Sequence, residues 1–458
     1  MNLQNISPIL LLPAELIAKI LLNVPDLKNI EYMSVNKNFH NTIKWLFNHY
    51  KKLYESIEKN WKKKEGVQKL LKTLFSSKND DAIIFLFNNY KNQDIIYYVS
   101  YYIGILNYTE LLQYISKIDF YSLANGAAEG GHFDLVEYAV SKGGNNFNKI
   151  ASFAARGGHL HIVKYAIKRG ANDFNLIAYN AAYGGHLHIV KYAIKKGADN
   201  LNRIAVNAAL GGHLHIVQYL IGIGVDNLIE IAKKAAMNGH LDIIKYILHI
   251  HKSVYDLIEI AKNAAMNGHL HVIEYLVSEG ANDFNLIARY AALGGHLHVV
   301  EYAVSKGAND FNGIARYAAL GGYLNIVEYA VSKGANDFDG ILTDAKLNGH
   351  PNIVNYIASY AALKGYLVIV AKAIVKGARN FKEIIRNASS NGYIDIINFT
   401  AKIAASLGKL EIVEYAIEMG ANNLSEIAFE AERHNRQNII LYIKKLQAYK
   451  NNYISLFV

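Results

Sequence analysis

The chain contains no cysteine, which removes disulfides, thiol nucleophiles and thiolate metal ligands together and fits a reducing compartment. No run of apolar residues reaches the length of a membrane-spanning helix. The opening MNLQNISPILLLPAEL lacks a charged leader and meets Pro8 and Glu15 early, so no secretory signal is expected. Missing too is a glycine-rich phosphate loop after a strand, because the many Gly-Gly pairs fall where helices end. No recurrent Ser/His/Asp set or carboxylate pair stands apart from the general pattern, so neither a catalytic site nor a cofactor is expected.

Charge is scarce and uneven. Charged residues make up 19% of the chain against 52% apolar, proportions of a folded soluble protein. Of the net +10, Lys44 to Lys78 supplies 10 Lys − 3 Glu = +7, beside Trp45 and Trp61. Such a segment either touches nucleic acid or an acidic protein, through Lys51 to Lys72, or is the solvated face of an amphipathic helix.

What is present is repetition. The phrase GGHLHIVKY at Gly184–Tyr192 returns, its histidine recurring at His132, His159, His186, His213 and His240 every 27 residues, at His269 after 29 and at His296 after 27. Tyr323 and His350 continue the spacing. A fixed period this short predicts a solenoid, in which no unit holds a core alone. In the unit from His186 to Gly212, Leu187, Ile189, Val190, Tyr192, Ala193 and Ile194 form one apolar stripe of an outer helix ended by Gly197. After the turn DNLN, Ile204 to Leu210 supplies an inner helix of about two turns, whose paired alanines permit close approach.

The unit resembles an ankyrin repeat. That family's Ala-Ala-x-x-Gly-His, Leu-x-x-Val-x-x-Leu-Leu and Gly-Ala-Asn are met at Ala291, Ala292, Gly295 and His296, then Leu297, Val299, Val300 and Tyr302, then Gly307, Ala308 and Asn309. The family's period is about 33 residues, and the shortfall lies where its β-hairpin finger belongs, so an all-α ankyrin-type solenoid of short 27-residue repeats is expected. Units of this length, rich in Asn, Ile, Lys and Tyr, resemble the ankyrin proteins of large amoebal DNA viruses, which implies the cytoplasm of a host cell, with the nucleus left open.

A different module comes first. Leu12, Pro13, Glu15, Leu16, Ile20, Leu21, Val24, Asp26, Leu27, Val35, Lys37 and Phe39 match in order and spacing the pattern of an F-box. The resemblance implies docking on the adaptor subunit of a cullin-RING ubiquitin ligase through Leu12, Pro13, Glu15, Leu16, Ile20, Leu21 and Leu27. The alternative is a helical cap over the first repeat. The expected boundaries are 5–50 for this module, 51–78 for basic connecting helices, 79–131 for degenerate repeats, 132–446 for the solenoid and 447–458 for a tail. Within the degenerate stretch, Asp80–Leu86 and Tyr108–Tyr114 keep an outer-helix pattern. From His350 to Tyr366 and from Tyr393 to Lys409 the spacing drops to 16 residues, where a sharp corner or change of curvature is expected.

Five His-x-His pairs suggest zinc, but residues two apart on a helix diverge, no cysteine assists and no acid recurs beside them, so a turn-stabilising His followed by an exposed one is the expectation. By resemblance, the residues after each Ala-Ala line the partner-binding surface: Glu129, Arg156, Tyr183, Leu210, Met237, Met266, Leu293 and Leu320. Lys233, Lys262, Arg289 and Arg316 hold one helical position beside them. Together they suit a target with apolar and acidic character, or else the leucines and methionines simply fill the seam between repeats. Two roles are compatible with this sequence: a non-enzymatic adaptor joining a target to a ligase, or an interaction scaffold with no ligase partner.

Overall fold

The computed structural model describes residues 93–115, 117–251 and 254–454. The F-box-like module with Leu12, Pro13, Glu15, Leu16, Ile20, Leu21 and Leu27, the basic segment 51–78 and the pattern at Asp80–Leu86 lie outside the described residues. Those described form 25 α-helices and one 3-10 helix, with no strand among them. They divide between Asn227 and Leu228 into two compact units.

One repeat of the first unit shows how the sequence builds the pair. Asp173 caps the inner helix Phe174–Tyr183 by accepting the Leu176 N–H at 2.9 Å, satisfying a donor the first turn leaves open. Ile177, Ala178, Ala181 and Ala182 are buried, and the small side chains let this helix stack between the inner helices Phe147–Gly157 and Leu201–Gly211. The outer helix Leu187–Lys196 buries Ile189, Val190 and Ala193, and Gly197, at φ 119°, ends it. Each large apolar side chain so buried stabilises by about 1.5–3 kcal/mol. The following inner helix starts at Leu201, earlier than its apolar pattern indicates, because Asn200 accepts the Arg203 N–H at 3.2 Å and caps the chain inside the DNLN turn.

An asparagine brace spans the loop where a finger would stand. Asn175 Oδ1 accepts the N–H groups of Asp199 and Asn200 at 3.1 and 3.2 Å while its Nδ2 donates to Asp199 Oδ1 at 2.9 Å. Asn148, also in the first unit, and Asn285 and Asn312 in the second hold the next loop in the same way.

Four segments depart from the regular repeat. Residues Tyr108–Tyr114 do not form an outer helix but a single 3-10 turn, Thr109–Gln113, after Asn107 at φ 53°; only Leu111 is buried within it, too little to hold a longer helix. The helix Leu241–Ile250 ends without glycine, at His251 in extended backbone, whose N–H reaches Ile247 O at 2.8 Å. The last helix, Gln437–Ile454, runs on through residues assigned to the tail.

The fourth departure is the pair of short spacings. In place of a corner at Ile357–Ser359 there is one helix, Pro351–Leu363. It begins as an outer helix, after His350 Nε2 has bonded Leu320 O at 3.2 Å. It ends as an inner helix, with Ala361 and Ala362 buried and Asn355 Oδ1 accepting the Arg379 N–H at 2.9 Å. One helix therefore closes the pair before it and opens the pair after it. The helix Ile394–Ser406 repeats the device, with Asn398 Oδ1 accepting the N–H groups of Asn422 and Asn423.

Candidate functional site

The recurring histidine fixes where the candidate docking residues stand. In the first unit, Nε2 of His159, His186 and His213 lies 3.0 Å from the carbonyl oxygens of Glu129, Arg156 and Tyr183. In the second, His269 reaches Met237 O at 2.9 Å and His350 reaches Leu320 O at 3.2 Å. Each ring thus donates an N–H to a carbonyl that the end of an inner helix leaves without an intrahelical partner, and that carbonyl belongs to the residue after Ala-Ala. The second histidine of a pair is not idle everywhere: His271 and His298 reach Gly239 O and Gly268 O at 3.0 and 3.2 Å. Among the described residues no group of three or more His, Cys, Asp or Glu side chains could hold a metal.

Burial chiefly, with neighbouring histidines in a lesser part, pushes the imidazoles of His159, His186 and His296 below their ordinary pKa. The folded chain therefore binds these protons less readily than the unfolded one, so stability present above the unfolded value of about 6.5 falls as pH drops below it. The melting temperature is expected to fall between pH 7 and pH 5, and to fall less steeply in a His159→Gln/His186→Gln/His296→Gln variant. Equal slopes in scanning fluorimetry would remove histidine from the account.

In the first unit three of the docking positions, Glu129, Arg156 and Tyr183, are polar and mutually engaged. Tyr101 O–H donates to Glu129 Oε2 at 2.5 Å, Arg156 Nε lies 3.4 Å from Glu129 Oε1, and the Arg156 guanidinium sits 5.0 Å from the centre of the Tyr183 ring. Burial and the adjoining Glu129 carboxylate hold the Tyr101 phenol well above its usual range, so it remains a donor. Leu210 is half-buried at the same position.

The second unit carries an apolar ridge. Met237, Leu293 and Leu320 are half-buried, whereas Met266 is 45% exposed and Leu347 78% exposed. Leu347 extends the ridge by one step beyond the expected set. Its Ala-Ala signature is broken to Ala345-Lys346, but its distance of 27 residues from Leu320 marks it.

The cation row beside the ridge is largely neutralised within the chain. Lys262 lies 3.4 Å from Glu259, Arg289 3.4 Å from Asp310, and Arg316 2.8 Å from Asp344 with Asp337 at 3.9 Å; Lys233 makes no ion pair among the described residues. Arg289, Arg316, Tyr317, Leu320 and the three aspartates line a concavity of about 340 Å³. Gly313 and Gly340 make room for these pairs, since a Cβ on Gly313 would fall 2.2 Å from Asp310 Oδ2 and one on Gly340 2.3 Å from Asp337 Oδ2. Arginines with carboxylates already beside them offer less to an acidic target than the sequence suggests, and the apolar ridge is left as the distinguishing feature of this edge.

Residues 153–231 match the family model described as ankyrin repeats (3 copies). That segment carries ankyrin repeats. A search of the curated proteins finds no match. Among solved structures, the human ASB11 ankyrin repeat domain is 20% identical, with 35% of this chain and 84% of that one covered and a TM-score of 0.29. The maize pentatricopeptide repeat protein PPR10 is 12% identical, with 96% and 78% covered and a TM-score of 0.29. Ankyrin repeats point to protein partners, and no described helix is long and apolar enough to cross a membrane.

Proposed function

We propose that the chain is a non-enzymatic adaptor of the host cytoplasm that holds a protein target on the ridge Met237–Leu347 and offers it to a cullin-RING ubiquitin ligase through Leu12, Pro13, Glu15, Leu16, Ile20, Leu21 and Leu27. The observation that carries target binding is the ridge: large apolar side chains recur at one position of successive ankyrin repeats, and two of them stand well exposed. The ligase half rests on the order and spacing of the Leu12–Phe39 pattern. With the neighbouring cations neutralised, the target segment is read as mainly apolar.

Affinity purification of the full chain from expressing cells tests both halves. Leu12→Ala/Pro13→Ala is expected to lose cullin complexes while keeping other partners, and Leu347→Asp to keep the cullin complex while losing a partner. Wild-type recovery of partners with no cullin component would favour an ankyrin scaffold without a ligase.

A further inference from the structure

Two adjacent outer helices of the first unit, Leu160–Lys168 and Leu187–Lys196, carry Lys164, Lys168, Lys191, Lys195 and Lys196, with Arg169 capping the first, and neither contains a carboxylate. All six cations are exposed, and none makes an ion pair among the described residues. Lys164 and Lys168, like Lys191 and Lys195, are four residues apart on one helix, a spacing at which like charges repel.

The other repeats show that this costs the chain something it elsewhere keeps. The position of Lys164 and Lys191 is occupied by Glu137, Glu274, Glu301 and Glu328 in other repeats. That of Lys168 and Lys195 is occupied by Ser141, Ser278, Ser305 and Ser332, whose hydroxyls donate at 2.6–2.7 Å to the carbonyl three residues earlier. Two repeats thus give up a helix-ending hydrogen bond and accept repulsion.

Intramolecular stacking explains part of the set. Lys164 lies 5.8 Å from the Tyr192 ring centre, Lys191 4.8 Å from Tyr219 and Arg169 5.3 Å from Tyr165. Lys168 and Lys195 have no such contact. The same stacking indicates the partner: the tyrosine rings of this face are already covered by cations, so nucleobases find no stacking platform. What remains is a field of cationic groups, about 15 Å long for helices of this length and about 10 Å across. That matches the charge of an extended run of four or five acidic residues, at ~3.3 Å per residue.

We propose that the outer face of these two repeats docks an acidic stretch of a partner polypeptide, at a site separate from the ridge. The test is fluorescence anisotropy of the full chain with a labelled deca-glutamate peptide, against a Lys164→Glu/Lys168→Glu/Lys191→Glu/Lys195→Glu variant and its Lys→Gln counterpart. Both variants are expected to weaken binding at least tenfold, with affinity falling steeply as salt rises and circular dichroism unchanged. Deca-glutamate binding that is absent in the wild type overturns the proposal. So does binding that survives both variants and is lost instead on Lys62→Glu/Lys63→Glu/Lys64→Glu. A 15-base-pair DNA duplex that outcompetes the peptide, and whose binding the variants abolish, would assign the patch to phosphate and overturn the protein reading.

Discussion

Replacing Gly184 with valine is expected to destabilise the first unit by about 3 kcal/mol, at the upper end of what overpacking costs. A Cβ on Gly184 falls 2.1 Å from the carbonyl oxygen of Arg156, and the analogous atom on Gly157 falls 2.0 Å from that of Glu129. The obstacle is backbone, and His186 Nε2 holds the Arg156 carbonyl at 3.0 Å, so no rotamer change relieves the clash. The inner helix Phe174–Tyr183 must retreat, opening the alanine seam against Phe147–Gly157. Gly170 supplies the comparison. At φ 112° it is left-handed, yet nothing lies within 4 Å of its Cβ position. Gly170→Ala should therefore cost only backbone strain, about 1 kcal/mol. Urea denaturation followed by circular dichroism separates the two, and equal losses would mean that the repeats are not held by backbone contact at the Gly-Gly turn.

That contact was half-visible in the sequence. The Gly-Gly-His phrase announced a turn, and its period announced stacking, because 27-residue units each too small for a core must lean on neighbours. Which glycine faced which neighbour was not legible: Gly184 meets the preceding repeat and Gly185 the His213 ring of the following one, and only three-dimensional adjacency distinguishes them. The Ala-Ala neighbours mark an apolar ridge from Leu210 to Leu320, and Leu347 lacks the mark because Lys346 replaces the second alanine. The cation row is visible in the sequence as Lys233, Lys262, Arg289 and Arg316, but the neutralisation of the last three is not. Asp310 and Asp337 cap their helices with one oxygen, and Gly313 and Gly340 leave the space in which the second oxygen turns toward the arginines. The asparagine brace has a signal in the recurrent Phe-Asn that opens the inner helices, but its partner lies 24 residues on and so outside any local window.

Phe381→Ala is expected to cost the second unit about 3–5 kcal/mol, the range for emptying a packed aromatic site. The first residue of an inner helix is usually phenylalanine, and at Phe147, Phe174, Phe284 and Phe311 it is half-buried. At Phe338 exposure falls to 7% and at Phe381 to 1%. These two belong to the inner helices that precede the merged helices Pro351–Leu363 and Ile394–Ser406. A merged helix serves two layers with fewer residues, so the space that a separate loop and helix would fill passes to the ring; Phe338 already meets Tyr360 and Tyr366 with ring centres 5.6 and 6.2 Å apart. Phe311→Ala, in an ordinary repeat of the same unit, should then cost clearly less, because part of its ring already faces water. Denaturation of both variants decides the matter. If Phe311→Ala proves as costly as Phe381→Ala, the exchange of layers is not what buries the ring, and the short spacings would be tolerated deletions with no packing device of their own.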